Sequence, residues 1–322
     1  MTPDYALLTD LYQLTMAQGY WEAGKTGDEA CFHMYFRDYP FKGGYAIACG
    51  MAQLADLVDS FAFTDDDVSY LASLDAPGGG KLFKKEFLDR LRTFHLDVDI
   101  DAVAEGTVVF PHEPLVRVTG SIMDCQLIET ALLNMVNFQT LIATKARRIV
   151  QAANGRTVME FGARRAHNFD AANYGARAAY IGGVLGTATT YAGKEYGIPA
   201  LGTMAHSFIQ SFDSEYEAFL NYAQTYPDSC TVLLDTYNTL KSGLPNAIRV
   251  AKEYLEPNGY RLKGVRIDSG DMAYLSKKIR KALDEADALE ARDFNRFLAL
   301  VNASGLSSAL HLQNTWSVAD PR

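Results

Sequence analysis

The chain has 322 residues, which is enough for two average domains or for a single β/α barrel. Hydrophobic residues make up 48% and charged residues 21%, a composition that excludes a disordered, a collagen-like or a coiled-coil chain. The 30 basic and 39 acidic residues give a formal charge of -9, so a broad basic surface for nucleic acid is not expected. A polyanionic ligand would need a local basic pocket on this acidic protein.

The first 150 residues are predicted to form an N-terminal α/β domain. A helix is expected over 7–19, and it should begin at Thr9 or Asp10 because both are good capping residues. The other predicted elements are strands at 30–35, at 45–48 and within 105–120, and a long helix at 125–150.

From residue 157 the pattern becomes regular, because short apolar runs alternate with helices. The runs are 157–161, 198–203, 231–235 and 264–268. This alternation predicts a parallel sheet with crossover helices, here an irregular and incomplete β/α barrel over 151–285. The helix after the last run carries one apolar stripe, formed by Met272, Leu275, Ile279 and Leu283. Residues 286–322 fit neither domain.

The four cysteines and the N-terminal sequence indicate the cellular compartment. Cys31, Cys49, Cys125 and Cys230 are too far apart for a zinc knuckle or a dense disulfide framework, which favours reduced thiols in the cytoplasm. The N-terminus does not have the pattern of a signal peptide, and no apolar run reaches the length of a membrane span. We therefore expect a cytoplasmic protein that binds no membrane.

Polar or ionisable residues follow each of the four predicted strands. In parallel α/β folds the ligand site lies at the carboxyl ends of the strands, so these residues are the candidate site. They are Arg164, Arg165 and His167 after the first strand, His206 and Ser207 after the second, Asp235 and Thr236 after the third, and Asp268, Ser269, Gly270 and Asp271 after the fourth.

The residue types indicate a charged ligand. Asp268 and Asp271 suit sugar hydroxyls or Mg²⁺ carried on a diphosphate, although both could simply cap the following helix. Arg164 and Arg165 suit a phosphate or a carboxylate, although they could be surface arginines. Phe161, just before them, offers a stacking face for a planar ring.

Two more residues have alternative interpretations. Arg266 lies within an apolar strand, so it is expected either to pair with an acid inside the barrel or to reach the ligand. His206 could be a general base, a nucleophile or a structural residue, and the absence of a nearby second histidine argues against a metal ligand. Together these residues indicate a site for a phosphorylated sugar and a small planar anion.

Longer strings resemble the nicotinate phosphoribosyltransferases. Nine of them occur in family order over about residues 5–285: 7–16, 36–41, 105–111, 128–134, 140–145, 160–167, 202–207, 234–238 and 268–271. The resemblance implies a type II phosphoribosyltransferase fold and a homodimer with shared sites. It also implies that nicotinate and 5-phosphoribosyl 1-diphosphate are joined, with ATP hydrolysis, into nicotinate mononucleotide and diphosphate in NAD salvage.

The resemblance also implies residue roles. His206 would be phosphorylated by ATP, and Phe161 would sandwich the pyridine ring together with Tyr12 of the partner subunit. Arg164 would hold nicotinate or the phosphoribosyl group, and Asp235 would orient the ribose or the base. The rest of the expected substrate-binding set is Arg165, Thr203, Ser207, Arg266, Ser269 and Gly270, and Asp268 joins His206 and Asp235 in the expected catalytic set. Mg²⁺ would come with the diphosphate and ATP, so no residue is predicted to be a metal ligand.

Two departures from the family leave alternatives open. Residues 186–189 read Gly-Thr-Ala-Thr where the family usually has Gly-Thr-Ser-Asn, and the chain no longer aligns after about Glu285. The chain therefore looks truncated or divergent there. An inactive remnant that only binds a pyridine or a nucleotide is one alternative, and a nicotinamide phosphoribosyltransferase is another.

Overall fold

The computed structural model describes residues 5–289 of the chain. The chain divides into two compact units, and the boundary falls between Lys145 and Ala146. Both units mix helices and strands, as the sequence predicted. Within residues 5–289, no helix is both long enough and apolar enough to cross a lipid bilayer.

The first unit is built on a three-stranded antiparallel sheet with strand order β1, β5, β3, and a second small sheet pairs β2 with β4. Its core contains the fully buried Leu57, Phe87, Leu91 and Leu127. The elements are α1 (Leu11–Glu22), β1 (Glu29–Met34), β2 (Ala46–Ile47), α2 (Ala52–Ser60), α3 (Asp65–Ser73), α4 (Lys85–Leu91), β3 (Val98–Ala102), β4 (Val108–Val109), β5 (Val116–Ser121) and α5 (Ile122–Ala152), which runs past the unit boundary.

Helix α1 begins where the sequence predicted. Asp10 is its N-cap residue, and the Asp10 backbone N–H donates to Gln13 Oε1 at 2.9 Å. The Gln13 side chain thereby satisfies a backbone donor that the start of a helix otherwise leaves unpaired. The helix continues three residues past the predicted end at Gly19, to Glu22.

The second unit contains one clear parallel strand pair, β6 with β7, in which Leu233 lies opposite Arg266. Its core is formed around Phe219, Leu234, Leu255 and Ile279. The elements are α6 (Asn168–Ile181), α7 (Thr190–Tyr196), α8 (His206–Gln210), α9 (Glu215–Thr225), β6 (Thr231–Leu233), α10 (Leu244–Val250), β7 (Gly264–Arg266) and α11 (Met272–Glu285), with a short 3₁₀ turn at Ala163–Arg165 and π turns at Thr239–Gly243 and Ala251–Leu255.

The first two predicted barrel strands are shorter than expected. Instead of full strands at 157–161 and 198–203, the chain forms single parallel bridges from Glu160 and Ala200 to Thr187 between them. The 184–188 segment was not predicted as a strand, because it has no apolar alternation. Gly186 explains the close approach, since a Cβ on it would lie 2.4 Å from the Pro199 carbonyl oxygen.

The apolar stripe of α11 is confirmed. Ile279 and Leu283 are buried in the core of the second unit, and Met272 and Leu275 are half-buried. Lysines occupy the exposed face of the same helix, as expected for an amphipathic helix at a protein surface.

Cysteine labelling tests the burial of the four thiols in the structure. Cys31 is exposed and the other three cysteines are buried. Burial raises the pKa of Cys230 to about 12 and that of Cys125 to about 11. Because the thiolate is the reactive form, we expect a chromogenic disulfide reagent at pH 8 to modify Cys31 rapidly and the others only after unfolding. The Cys31→Ser variant should show no fast phase; fast labelling of a second thiol in the native protein would contradict this burial pattern.

A pair of glycine substitutions tests the packing of the second unit. Gly243 is buried, and a Cβ there would lie 2.0 Å from the Leu234 carbonyl oxygen. We expect Gly243→Ala to lower the free energy of unfolding by about 2 kcal/mol or more, because backbone must move. Gly19 in α1 has open space around its Cα. Gly19→Ala should raise the free energy by about 0.5–1 kcal/mol. Urea unfolding measures both, and equal effects would refute the packing argument.

Candidate active site

The ends of β6 and β7 and the start of α8 bring three predicted catalytic residues together. The parallel register of β6 and β7 places Asp235 and Asp268 at corresponding positions, two residues beyond Leu233 and Arg266. His206, the first residue of α8, lies with its Nε2 atom 3.7 Å from Asp268 Oδ2 and 4.0 Å from Asp235 Oδ1. The predicted convergence of these strand ends is therefore present in the structure.

The other ring nitrogen of His206 is also engaged. His206 Nδ1 lies 3.1 Å from the Thr236 hydroxyl oxygen, within hydrogen-bond distance. The imidazole is thus oriented by a hydroxyl on one edge and faces two carboxyl groups on the other. With 39% of its side chain exposed, the ring can be reached by a ligand and can act as a nucleophile or a base.

Asp235 shapes the turn that follows β7. Its side chain is only 3% exposed, and its Oδ2 atom accepts the Asp268 backbone N–H at 2.9 Å and the Ser269 hydroxyl at 2.5 Å. Its Oδ1 atom is buried, faces His206, and has no hydrogen-bond partner within the part of the chain that the structure describes. Asp235 is consequently a fixed carboxyl group beside the imidazole.

Arg266 takes one of its two predicted alternatives, because it pairs with an acid. Its Nη2 atom lies 2.6 Å from Asp268 Oδ1. Its Nη1 atom donates to the Thr203 hydroxyl at 3.4 Å and to the Met204 carbonyl oxygen at 3.3 Å. The strand-borne cation is buried, whereas 40% of the Asp268 side chain is exposed. The pair therefore presents a carboxyl group to solvent and a guanidinium just beneath it.

The two aspartates of the 268–271 turn have different roles. Asp271 caps α11, since its Oδ1 atom accepts the Tyr274 backbone N–H at 2.9 Å. Asp268 does not cap the helix and pairs with Arg266. Between them Gly270 has a φ of 81°, a left-handed conformation that favours glycine. Capping thus explains Asp271 alone.

The remaining predicted residues lie on other elements. Phe161 is half-buried, and the exposed Arg164 and Arg165 belong to the 3₁₀ turn that follows it. Ser207 is exposed at the second position of α8. Tyr12 lies on α1 in the first unit, where its hydroxyl is 3.5 Å from Glu129 Oε2. Desolvation, followed by the charges of Glu129 and Asp10, raises the pKa of Tyr12.

Thr236, one of the candidate residues that follow the third predicted strand, contacts His206. Two residues of this region were not in the predicted site set. They are Glu160, which directly precedes Phe161, and Thr187, and their side chains form a buried hydrogen bond. Glu160 opens the 160–167 string and Thr187 lies in the 186–189 segment, but neither string assigned them a role. Within residues 5–289, no group of three or more His, Cys, Asp or Glu side chains is arranged to hold a metal ion.

The ion pair of Arg266 yields a stability prediction. Asp268→Asn removes the carboxylate from a buried guanidinium, and we expect the free energy of unfolding to fall by about 1–2 kcal/mol, a value reduced by the exposure of Asp268. The same change at Asp271 should have little effect, because Asn caps a helix as well as Asp does. Chemical denaturation compares the two variants; equal stability would show that the pair contributes nothing measurable.

Both units resemble known proteins. Residues 7–137 match the family model described as the nicotinate phosphoribosyltransferase N-terminal domain, and residues 157–289 match the nicotinate phosphoribosyltransferase family model. The chain is 48% identical over 289 residues to a nicotinate phosphoribosyltransferase of Bacillus subtilis, covering 89% of this chain and 57% of the relative. It is 43% identical over 305 residues to one from Mycobacterium tuberculosis, covering 92% and 64%.

Solved structures give the same result. The crystal structure of human nicotinic acid phosphoribosyltransferase matches with a TM-score of 0.79 and 34% identity, over 87% of this chain and 65% of that chain. A nicotinate-nucleotide pyrophosphorylase from Pyrococcus furiosus, at 22% identity and a TM-score of 0.69, shares the fold. The chain thus spans 57–65% of the length of its nicotinate phosphoribosyltransferase relatives. Its sequence and its fold place it in the nicotinate phosphoribosyltransferase family, with the type II phosphoribosyltransferase fold.

Proposed function

We propose that this chain carries the catalytic centre of an ATP-coupled nicotinate phosphoribosyltransferase of NAD salvage. The enzyme transfers the phosphoribosyl group of 5-phosphoribosyl 1-diphosphate to nicotinate and forms nicotinate mononucleotide and diphosphate. The observation that carries the proposal is the placement of His206 against Asp235, Asp268 and Thr236 at the carboxyl ends of two parallel strands. Family membership supplies the reaction to which this arrangement is assigned.

His206 is assigned as the group that couples ATP to the transfer. A neutral imidazole nitrogen attacks the γ-phosphorus of ATP, so that an N–P bond forms, the P–O bond to the β-phosphate breaks, and ADP leaves. The phosphoryl group adds about two negative charges close to Asp235 and Asp268. Their repulsion changes the electrostatics of the site and favours later release of the phosphoryl group to water.

Asp235, Asp268 and Arg266 are assigned to the phosphoribosyl group. Ribosyl transfer develops positive charge on the sugar, and nearby carboxyl groups stabilise it electrostatically. The exposed Asp268 is available to the ribose hydroxyls, and the Arg266 guanidinium beneath it suits a phosphate. Mg²⁺ would come with the diphosphate and ATP and would offset part of their charge. The Asp268 carboxyl at the strand end is an oxygen donor of the type it prefers.

The turn after Glu160 is assigned to the pyridine base. The Phe161 ring offers a stacking face, and the exposed Arg164 and Arg165 offer cations for the nicotinate carboxylate. A carboxylate gains more from a guanidinium than an amide does, which favours nicotinate over nicotinamide. Thr203, Ser207, Ser269 and Gly270 complete the proposed binding set.

A homodimer with shared sites is part of the proposal. The ring of Tyr12 is 49% exposed on α1, so it is available to a second subunit. The four cysteines are free thiols, which supports a cytoplasmic location. The second candidate is an inactive protein that only binds a pyridine or a nucleotide.

A product assay separates the candidates. With 5-phosphoribosyl 1-diphosphate and Mg²⁺ present, we expect nicotinate to give mononucleotide and diphosphate, and ATP to increase the yield. Nicotinamide should give far less product under the same conditions. Chromatographic detection of both mononucleotides measures this. Binding of nicotinate without any release of diphosphate would instead identify the inactive binding protein, and faster use of nicotinamide would identify the nicotinamide enzyme.

The same assay tests His206. His206→Ala should lose both the ATP stimulation of product formation and the incorporation of the γ-phosphoryl group into the protein. A slower transfer without ATP should persist, because the residues that bind the phosphoribosyl group stay in place. His33→Ala, on the exposed face of β1, is the matched control and should behave as the unsubstituted chain. Retained coupling in His206→Ala would show that another group accepts the phosphoryl.

A further inference from the structure

A pair of buried side chains lies directly behind the turn assigned to the pyridine base. Glu160 is 6% exposed and Thr187 is fully buried. The Thr187 hydroxyl donates to Glu160 Oε2 at 2.6 Å, and the Gly162 backbone N–H donates to Glu160 Oε1. A carboxyl group is costly to bury, so its position here calls for a function beyond filling space.

The hydrogen bonds of this pair reach both neighbouring segments. Through Gly162, Glu160 holds the backbone between Phe161 and the 3₁₀ turn that carries Arg164. Through its hydroxyl oxygen, Thr187 accepts the Thr189 backbone N–H at 3.0 Å, at the start of α7. Each hydrogen bond satisfies a backbone donor at the end of a short strand segment.

The backbone keeps the two side chains in register. The Glu160 N–H donates to the Gly186 carbonyl at 2.9 Å, and the Ala188 N–H donates to the Glu160 carbonyl at 2.9 Å. On the other side, the Thr187 N–H donates to the Pro199 carbonyl at 3.0 Å. Thr187 is therefore fixed from both sides, and its hydroxyl acts on Glu160 from a rigid support.

We propose that Glu160 and Thr187 are positioning residues that hold Phe161 and Arg164 in the arrangement that binds nicotinate. The inference rests on the proposed function, since it takes Phe161 and Arg164 as contacts of the base. Neither Glu160 nor Thr187 touches the substrate. Glu160 fixes the peptide that follows Phe161, and Thr187 fixes Glu160. Loss of the Thr187 hydroxyl releases the turn and weakens nicotinate binding while the phosphoribosyl region around Arg266 stays unchanged.

The test compares Thr187→Val with a matched threonine. Thr144, in α5, is also fully buried, and its hydroxyl likewise donates to one oxygen, of Thr140, and accepts one backbone N–H, of Ile47. Calorimetric titration of the full chain with nicotinate and with 5-phosphoribosyl 1-diphosphate gives two dissociation constants per variant. We expect Thr187→Val to raise the nicotinate constant by about tenfold or more, and Thr144→Val to change it by less than about twofold.

Further variants and a second measurement separate positioning from general destabilisation. Thr187→Ser keeps the hydroxyl and should restore nicotinate binding. Glu160→Gln keeps the shape of the side chain, but it leaves one acceptor oxygen for two donors, the Thr187 hydroxyl and the Gly162 N–H, and it should weaken nicotinate binding selectively. Hydrogen exchange should quicken at Gly162 and Thr189 in Thr187→Val, while the 5-phosphoribosyl 1-diphosphate constant stays within about twofold.

The outcomes are distinguishable. Equal nicotinate constants for the unsubstituted chain, Thr187→Val and Glu160→Gln would overturn the positioning inference and leave the proposed function standing. Parallel loss of both ligands would also overturn it, because the effect would then be general. If the unsubstituted chain fails to bind nicotinate at all, the proposed function falls and the inference falls with it. If Thr187→Val does not fold, Glu160→Gln decides the question alone by the same two constants.

Discussion

The candidate site depends on the parallel pairing of β6 with β7. This register sets Leu233 opposite Arg266, so the residues two positions later, Asp235 and Asp268, lie side by side. A shift by one residue would turn the side chains of one strand to the other face. The site would then lose its paired carboxyl groups, and Arg266 would lose its partner. Three paired residues in each strand thereby position most of the side chains to which a chemical role is assigned.

Asp235 and Asp268 have different roles because they differ in burial. Asp235 is buried and uses one oxygen to hold the Asp268 peptide and the Ser269 hydroxyl. Asp268 is half-exposed, and it contacts Arg266 and His206 through its side chain and Asp235 through its backbone N–H. Asp235 therefore holds the turn in place, whereas Asp268 can exchange Arg266 for a ligand. His206 lies against both, so its charge and its chemistry are coupled to the state of the site.

Much of this could be predicted from the sequence. The start of α1 followed from a capping residue, the stripe of α11 from its helical period, and β6 and β7 from apolar runs that end in aspartates. The segment at 184–188 could not be predicted, because Gly186 and Thr187 take part through close backbone approach and a buried hydroxyl rather than through apolar alternation. Helices α2, α3 and α4 were likewise missed, since they are short and offer few repeats of the helical period. Sequence strings indicated candidate site residues, but not that Asp271 caps a helix while Asp268 pairs with Arg266.

The Arg266–Asp268 pair has a consequence for ligand selection. On a chain of charge -9, the buried guanidinium is already neutralised by a carboxyl group 2.6 Å away. An anion that enters must compete with this resident group, whose attraction is strengthened by the low polarity around the arginine. A monovalent anion in solution gains little by such an exchange. A ligand with several charges, anchored elsewhere in the site, can displace the carboxyl group and leave it free for the sugar of the proposed substrate. The Asp268 carboxyl group therefore favours ligands with several charges. It also keeps monovalent salt anions from binding to Arg266.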